Sequence, residues 1–357
     1  MEKLKTMEYY ILQTHKIIKE NYENKELTNE LTTLFLKKDY KSIKIIASGS
    51  SGNAVLCAKY LMEKILAIPV DVISPFTFAH YPLILENDFI FAISQSGYSC
   101  NVLEALTILK KYNRNAIALT GDMNSDIKDY ADFLIEYGVG EEVEGYVTKG
   151  VTTLVLFLLL FALDVKKKRG NLVDLKKYDL YFQEYESMQK INFKREVDFI
   201  EKFKKNFLSM DHCYVVGCGN GEGIAKEAAL KIGETIKIVT CSYELEEYIH
   251  GPNLQLSPCY NVFIIDSQDD TSNRSYQIYL ASRQVSDRVY YITNKEMNDD
   301  HVLTLLNPEP DFLALSYLQF FQLLSYRISK ELCTILKHPL MKDFNKIVSS
   351  KTINYND

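Results

Sequence analysis

The chain lacks the marks of several protein classes. Its seven cysteines are scattered and odd in number, with no CxxC pair and no Cys/His zinc spacing. This excludes a disulfide framework and reads as reduced thiols in a cytosol. Positive charge is not in excess: 41 Lys and Arg stand against 47 Asp and Glu, a net charge of -6. That balance excludes a nucleic-acid binder working through a general basic field. No apolar run reaches bilayer length. The most apolar stretch, "VTTLVLFLLLFAL" at 151–163, is too short to span a membrane and predicts a buried core helix. The Lys166-Lys167-Lys168-Arg169 run that follows reads as its solvated end. Met1-Glu2-Lys3-Leu4-Lys5 opens a polar, amphipathic stretch without the apolar centre of a secretory signal. A soluble cytoplasmic protein is the expectation, with no membrane and no nucleic acid among its partners.

What is present is globular composition over 357 residues, 47% apolar and 25% charged, enough for two domains and a sizeable core. Residues 5–38 carry apolar positions at helical spacing, which predicts one or two N-terminal helices over 1–40. Strand-like runs follow at 43–47, 69–73, 89–93, 116–119 and 133–135, separated by helical patterns such as 54–66 and 102–112. Such alternation predicts an α/β fold, a parallel sheet covered by helices, over 41–170. The charged, aromatic segment 171–210 reads as a linker and long connecting helix. A second alternation over 211–335 has strands at 213–216, 236–240, 262–265 and 289–292, and closes on an apolar helix at 314–329. A tail occupies 336–357. "IKIIASGSSGNAVLCAKYL" and "CYVVGCGNGEGIAKEAALK" are each a strand, a Gly/Ser turn and a helix, so the halves read as one unit used twice.

Two turns of the first half are crowded with hydroxyls: Ser48-Gly49-Ser50-Ser51-Gly52, and Ser94-Gln95-Ser96-Gly97-Tyr98-Ser99 in "FAISQSGYSCNVLEAL". In open parallel sheets ligands bind where strands hand over to helices, and the first helical turn offers unpaired N–H groups to an anion. Gly49 and Gly97 would let the backbone approach closely. Ser51 or Ser99 alone reads as an ordinary N-cap. Two such turns in one sheet favour anion binding. Neither is a P-loop, since no GK[ST] follows. "GCGNGEG" at 217–223 is only a weak dinucleotide signal, because no acidic residue ends the next strand.

In these residues the chain resembles the sugar isomerase (SIS) family of phosphosugar-binding proteins. "SQSG" after a strand, with a hydroxyl two places on, is that family's phosphate loop. "IAKEAALKIGETIKIVTCSYELEEYIHGP" at 224–252 is similar to the isomerase module of glucosamine-6-phosphate synthase. It is at least as similar to the fructosamine-6-phosphate deglycases, which include enzymes acting on fructoselysine 6-phosphate. "HPLMKDFNKIVSSKT" resembles their C-terminal segment.

The resemblance covers nearly the whole chain and implies two doubly wound, flavodoxin-like SIS domains of three α/β/α layers. It implies that Ser51, Ser94, Gln95, Ser96 and Ser99 hold a sugar phosphate, with Gly49 and Ser50 beside them. It matches Glu234 to the family's catalytic carboxylate and the His250 of "HGP" to the histidine of ring opening. Lys346 roughly matches the tail lysine that binds sugar in the synthase, though no Schiff base is expected of it. A homodimer with a shared site is implied, and no metal or organic cofactor.

There are departures. Residue 2 is Glu, without the cysteine that follows the initiator Met in the synthase's glutaminase, so glutamine-dependent transfer is not expected. Tyr98-Ser99 stands where the amino-sugar synthases have Glu-Thr, keeping the phosphate hydroxyl.

Moving a carbonyl between C1 and C2 of a sugar phosphate needs a fixed phosphate handle and a proton shuttle, a role suited to a carboxylate. Glu227, Lys231 and Glu234 fall at i, i+4 and i+7, on one helical stripe. Glu227 and Lys231 read equally as a surface ion pair or as part of the site. Glu234, placed before the HGP loop, reads as functional. His250 suits ring opening, because an imidazole can both give and take a proton. A deglycase is expected, with an isomerase or deaminase of an amino-sugar phosphate as the alternative. A sugar-phosphate sensor is a further one, although the roughly 40 residues ahead of the first strand are too few for a helix-turn-helix reader. Asp266-Ser267-Gln268-Asp269-Asp270 takes the place of "SQSG" in the second half, and its acids predict one phosphate site per chain.

Overall fold

The structure is a computed structural model and describes residues 5–143, 145–170 and 176–355. Two helices lead, α1 (Met7–Glu23) and α2 (Asn29–Phe35). The first alternation runs β1 (Ser42–Ile46), α3 (Gly49–Leu66), β2 (Val70–Ile73), α4 (Pro75–His80), β3 (Asp88–Ser94), α5 (Cys100–Lys111), β4 (Ile117–Thr120), β5 (Phe133–Glu136) and α6 (Lys149–Lys168). After α7 (Lys176–Lys202) and α8 (Lys204–Leu208) comes the second: β6 (His212–Val216), α9 (Asn220–Ile236), β7 (Val239–Tyr243), α10 (Leu245–Ile249), β8 (Asn261–Ile265), α11 (Ser272–Arg283), β9 (Val289–Thr293), β10 (Val302–Thr304) and α12 (Leu313–Glu331). The tail adds α13 (Met341–Ile347).

Two elements differ from the sequence expectation. The strand expected at 236–240 starts later, because α9 continues to Ile236 and ends on Lys237 in the left-handed region. The unbroken apolar spacing of Ile236, Ile238 and Val239 hides that break. The three-residue β10 escaped notice, being too short to show a period.

Of the described residues, those within Glu20–Asp174 and Lys337–Asp357 form one compact unit, and those within Met1–Lys19 and Leu175–Leu336 another. The first unit holds a sheet of order β2-β1-β3-β4-β5, parallel throughout. Its central β3 is buried at every residue, as a strand covered on both faces must be. Helix α6 is buried over almost its whole length and packs against α3, as the apolar run at 151–163 predicts.

The second unit holds β7-β6-β8-β9-β10, also parallel. Counted from the first strand of each, both sheets read 2-1-3-4-5, the flavodoxin-like doubly wound order. The likeness of the two strand–turn–helix stretches is therefore a likeness of topology. Helix α7, from the segment expected to connect the halves, buries Tyr178, Tyr181, Tyr185, Phe199 and Ile200 in this unit. The Tyr185 hydroxyl donates to the Leu315 carbonyl on α12 at 2.8 Å.

Among the described residues no helix is long and apolar enough to cross a membrane. All seven cysteines are free thiols.

Candidate functional site

In a 2-1-3-4-5 sheet the strand order reverses between β1 and β3, and a crevice opens at their carboxyl ends. The loops that leave those two strands are the two hydroxyl-rich turns. Their geometry decides between capping and binding. Helix α3 starts at Gly49, with Ser48 as N-cap, so Ser51 lies inside the first turn and is no cap. Neither Ser48 nor Ser99, the N-cap of α5, turns its hydroxyl onto its own helix. Ser99 Oγ instead accepts from Ser94 Oγ at 3.1 Å. Ser94 Oγ in turn accepts from the Gly97 amide at 3.1 Å, and Ser96 Oγ from the Tyr98 amide at 3.4 Å. The capping reading fails, and Ser94, Ser96 and Ser99 share one turn of polar groups at the head of α5.

Gly97 has φ +70°, and a Cβ there would fall 1.7 Å from Ser125 Oγ, so only glycine fits. The Gly97 carbonyl accepts from the Ile127 amide at 3.0 Å, which fixes the turn against the neighbouring loop. Ser50 is buried, Ser51 half-buried, and Gly49 takes φ +56° with open space around it.

Gln95 points elsewhere: its Nε2 donates to Glu142 Oε2 at 2.6 Å. The same carboxylate accepts from the amides of Thr148, Lys149 and Gly150 at 3.0, 2.6 and 2.9 Å. Glu142 is thus a built-in anion at the head of α6, where the helix dipole favours negative charge, and it braces Gln95. Sequence reasoning missed Glu142, which sits in a loop without periodicity.

It also missed Lys351. The tail returns to the turn, with an antiparallel bridge between Ser99 and Lys351. Lys351 Nζ lies 2.6 Å from Ser96 Oγ and 3.2 Å from Ser99 Oγ. Lys346, singled out by resemblance, is on α13, three-quarters exposed, and donates to Asp343 Oδ1 at 2.6 Å. The only signal for Lys351 was its place in a hydroxyl-rich tail, "SSKT".

Glu234 and His250 belong to the second unit. The idea of a surface ion pair at Glu227 and Lys231 is corrected: both side chains are buried, at 1% and 2% exposure. The stripe faces inward because α9 packs on α12. Lys231 Nζ lies 2.5 Å from Glu234 Oε1 and 3.4 Å from Glu227 Oε1. Burial alone would lower the Lys231 pKa, but the two carboxylates outweigh it and hold the pKa above the ordinary lysine value. Glu234 is one-third exposed, in the last turn of α9, where the dipole opposes a carboxylate and the Lys231 ammonium offsets it. His250 follows α10 as its C-cap and is exposed.

The second unit's switch point, between β6 and β8, is built differently. Asp266 is fully buried there and accepts from the Gln268 amide at 2.9 Å, Ser272 Oγ at 2.6 Å and Thr293 Oγ1 at 2.7 Å. Ser267 Oγ donates to the Cys218 carbonyl at 2.5 Å. A Cβ on Gly217 would lie 2.6 Å from the Gly221 carbonyl oxygen, so these glycines serve backbone packing inside the turn. A resident carboxylate engages the donors that an incoming anion would need. Among the described residues no group of His, Cys, Asp and Glu could hold a metal ion.

Against this geometry stand the known proteins. The SIS domain family model matches residues 37–163, which hold β1 to β5 and both hydroxyl turns. The glutamine–fructose-6-phosphate aminotransferase (isomerizing) of Caldanaerobacter subterraneus subsp. tengcongensis is 28% identical over 240 residues, 66% of this chain and 39% of that protein. Its counterpart in Wigglesworthia glossinidia brevipalpis is 26% identical over 355 residues, 92% of this chain and 56% of that one. The chain thus spans no more than 56% of the length of these two relatives. In structure, a candidate phosphosugar isomerase of Clostridium difficile 630 superposes with a TM-score of 0.86 at 23% identity, over 98% of this chain and 99% of that one. Residues 37–163 thus match the SIS domain and hold the first parallel sheet, and the chain shows homology to the isomerizing aminotransferases over the shares given.

Proposed function

We propose that this protein binds a sugar phosphate at the Ser94–Ser99 turn and moves a proton between C1 and C2 of the open-chain sugar. The observation that carries the reading is the turn itself. Its Ser96 and Ser99 hydroxyls accept hydrogen bonds from within the protein, while their own protons have no acceptor among the described residues. Two such donors beside the uncapped head of α3 suit the oxygens of a phosphate monoester. The activity for which the relatives are named, on fructose 6-phosphate, supports the same substrate class.

The finer reading is a deglycase acting on a fructosamine 6-phosphate. His250 protonates the ring oxygen as the hemiketal opens. Glu234 removes the C1 proton to give the enolamine, and protonation at C2 gives the C1 imine. Water then adds and expels the amine, leaving glucose 6-phosphate and an amino acid. The phosphate handle supplies orientation only. Lys231 holds the Glu234 carboxylate by a charge-assisted bond, and its other oxygen makes no hydrogen bond among the described residues. The protein acts as a homodimer in this reading.

The deciding experiment incubates the protein with phosphorylated Amadori compounds and amino-sugar phosphates and identifies the products. Release of an amino acid marks a deglycase, release of ammonia a deaminase, and interconversion without release an isomerase. The relatives' isomerizing activity favours the last as the second reading. Binding without turnover of any of them would leave a sensor.

A further inference from the structure

We propose that Lys351 is the cation of the phosphate site, delivered to the Ser94–Ser99 turn by the C-terminal tail. The inference rests on the reading of that turn as a phosphate cradle. Three contacts fix the tail there independently of the lysine side chain. The Cys100 amide donates to the Ser350 carbonyl at 3.0 Å, and the Thr352 amide donates to the Tyr98 carbonyl at 2.9 Å. Asn354 Nδ2 donates to the Asp126 carboxylate at 3.0 and 3.2 Å. The Tyr98 and Tyr355 rings also meet at 5.6 Å. Lys351 is therefore aimed by a backbone hydrogen bond on either side of it.

The hydrogen-bond directions give the aim a meaning. An ammonium only donates, so Ser96 Oγ and Ser99 Oγ must accept from it, which turns their protons outward as donors. Among the described residues no other lysine or arginine bonds to this turn. A phosphate monoester carries close to two negative charges at neutral pH, and Asp122 and Asp126 lie near enough to act on Tyr98. Neutral hydroxyls alone would hold that dianion against a negative field. Lys351 reverses the sign of the field at the oxygens that need it and polarises the donors that touch them.

The test is calorimetric titration of the full-length chain with fructose 6-phosphate, comparing wild type, Lys351→Gln, Lys351→Arg and Ser96→Ala. Lys351→Gln is expected to weaken binding about tenfold or more, with Lys351→Arg recovering most of it. The loss should be larger at pH 7.5 than at pH 5, because the second phosphate proton leaves near pH ~6. A lysine that merely positioned the tail would give the same loss at both. If Ser96→Ala abolishes binding while Lys351→Gln leaves it unchanged, the cradle stands and the role of Lys351 falls. Tighter binding by Lys351→Gln would also overturn it, making the ammonium a rival for the phosphate's place. If wild type binds no fructose 6-phosphate, the cradle reading fails and this inference with it.

Discussion

Lys231 Nζ sits between two carboxylates of its own helix, 2.5 Å from Glu234 Oε1 and 3.4 Å from Glu227 Oε1. The three residues differ in exposure, and this separates their roles. Glu227 and Lys231 are sealed in the packing of α9, so removing the ammonium leaves a buried carboxylate facing the place it held. Lys231→Met is expected to cost about 3–5 kcal/mol of stability. Glu234 is one-third exposed and should tolerate Glu234→Gln with a melting temperature close to wild type. Its turnover should fall by about 10²–10⁴-fold if it shuttles the proton. Thermal melts beside product assays read both, and full turnover by Glu234→Gln would remove it from the mechanism.

The contrast between Ser94 and Asp266 leads to a prediction of stoichiometry. Ser94 ends β3 and Asp266 follows β8, the middle strands of their sheets, and each accepts from an amide of its own turn. Ser94 brings a neutral hydroxyl, whereas Asp266 brings a carboxylate that fills its turn with a fixed anion. Titration with fructose 6-phosphate should give one site per chain, and Ser96→Ala with Ser99→Ala should abolish all of it. A residual site of comparable affinity in that double variant would place a second phosphate in the other sheet.

Much of this was legible in the sequence, for physical reasons that differ by region. The parallel sheets showed because buried strands such as Phe89–Ile93 are apolar throughout and are spaced by helices. The hydroxyl-rich turn showed because glycine and serine concentrate where a strand meets a helix. Burial of the Glu227–Lys231 pair did not show, since i, i+4 spacing is the same on an inner and an outer face. Lys351 did not stand out from the hydroxyl-rich tail that holds it. Its role depends on a contact spanning 255 positions of chain, and no local pattern encodes which of several tail lysines makes it.

Gly97 and Gly49 both have positive φ, but their surroundings differ. At Gly49 a methyl group meets nothing within 4 Å, so Gly49→Ala should cost only the left-handed backbone term, about 1–2 kcal/mol. At Gly97 the methyl would collide with Ser125 Oγ, itself bonded to the Asp122 carbonyl at 2.5 Å. Gly97→Ala must displace the turn, and fructose 6-phosphate binding should disappear from a protein whose circular dichroism still shows both helices and strands. Retained binding would mean that Ser125 yields, and that the turn's shape is not what holds the ligand.

Within the second unit, a relay His15–Gln319–Glu196 is closed from water. His15 Nε2 bonds to Gln319 Oε1, and Gln319 Nε2 donates to Glu196 Oε2 at 2.9 Å. Glu196 Oε1 has no hydrogen-bond partner among the described residues, and burial pushes this carboxyl up to about 8. Burial also lowers the His15 pKa, partly opposed by its bond to Gln319. The signs follow from which state holds the proton. The fold keeps Glu196 protonated to about pH 8, while the unfolded chain releases that proton near the ordinary value of 4.5. Its contribution is therefore whole below pH ~4.5 and is lost as pH rises towards 8. His15 acts at the other end: the fold resists its charging, so stability falls as pH drops below the ordinary histidine value of 6.5. Glu196→Gln removes only the first effect. Its melting temperature relative to wild type should be level at pH 4.5 and rise steadily to pH 8, with the acid limb from His15 unchanged. A difference that stays flat across that range would show that Glu196 is ionised in the native core.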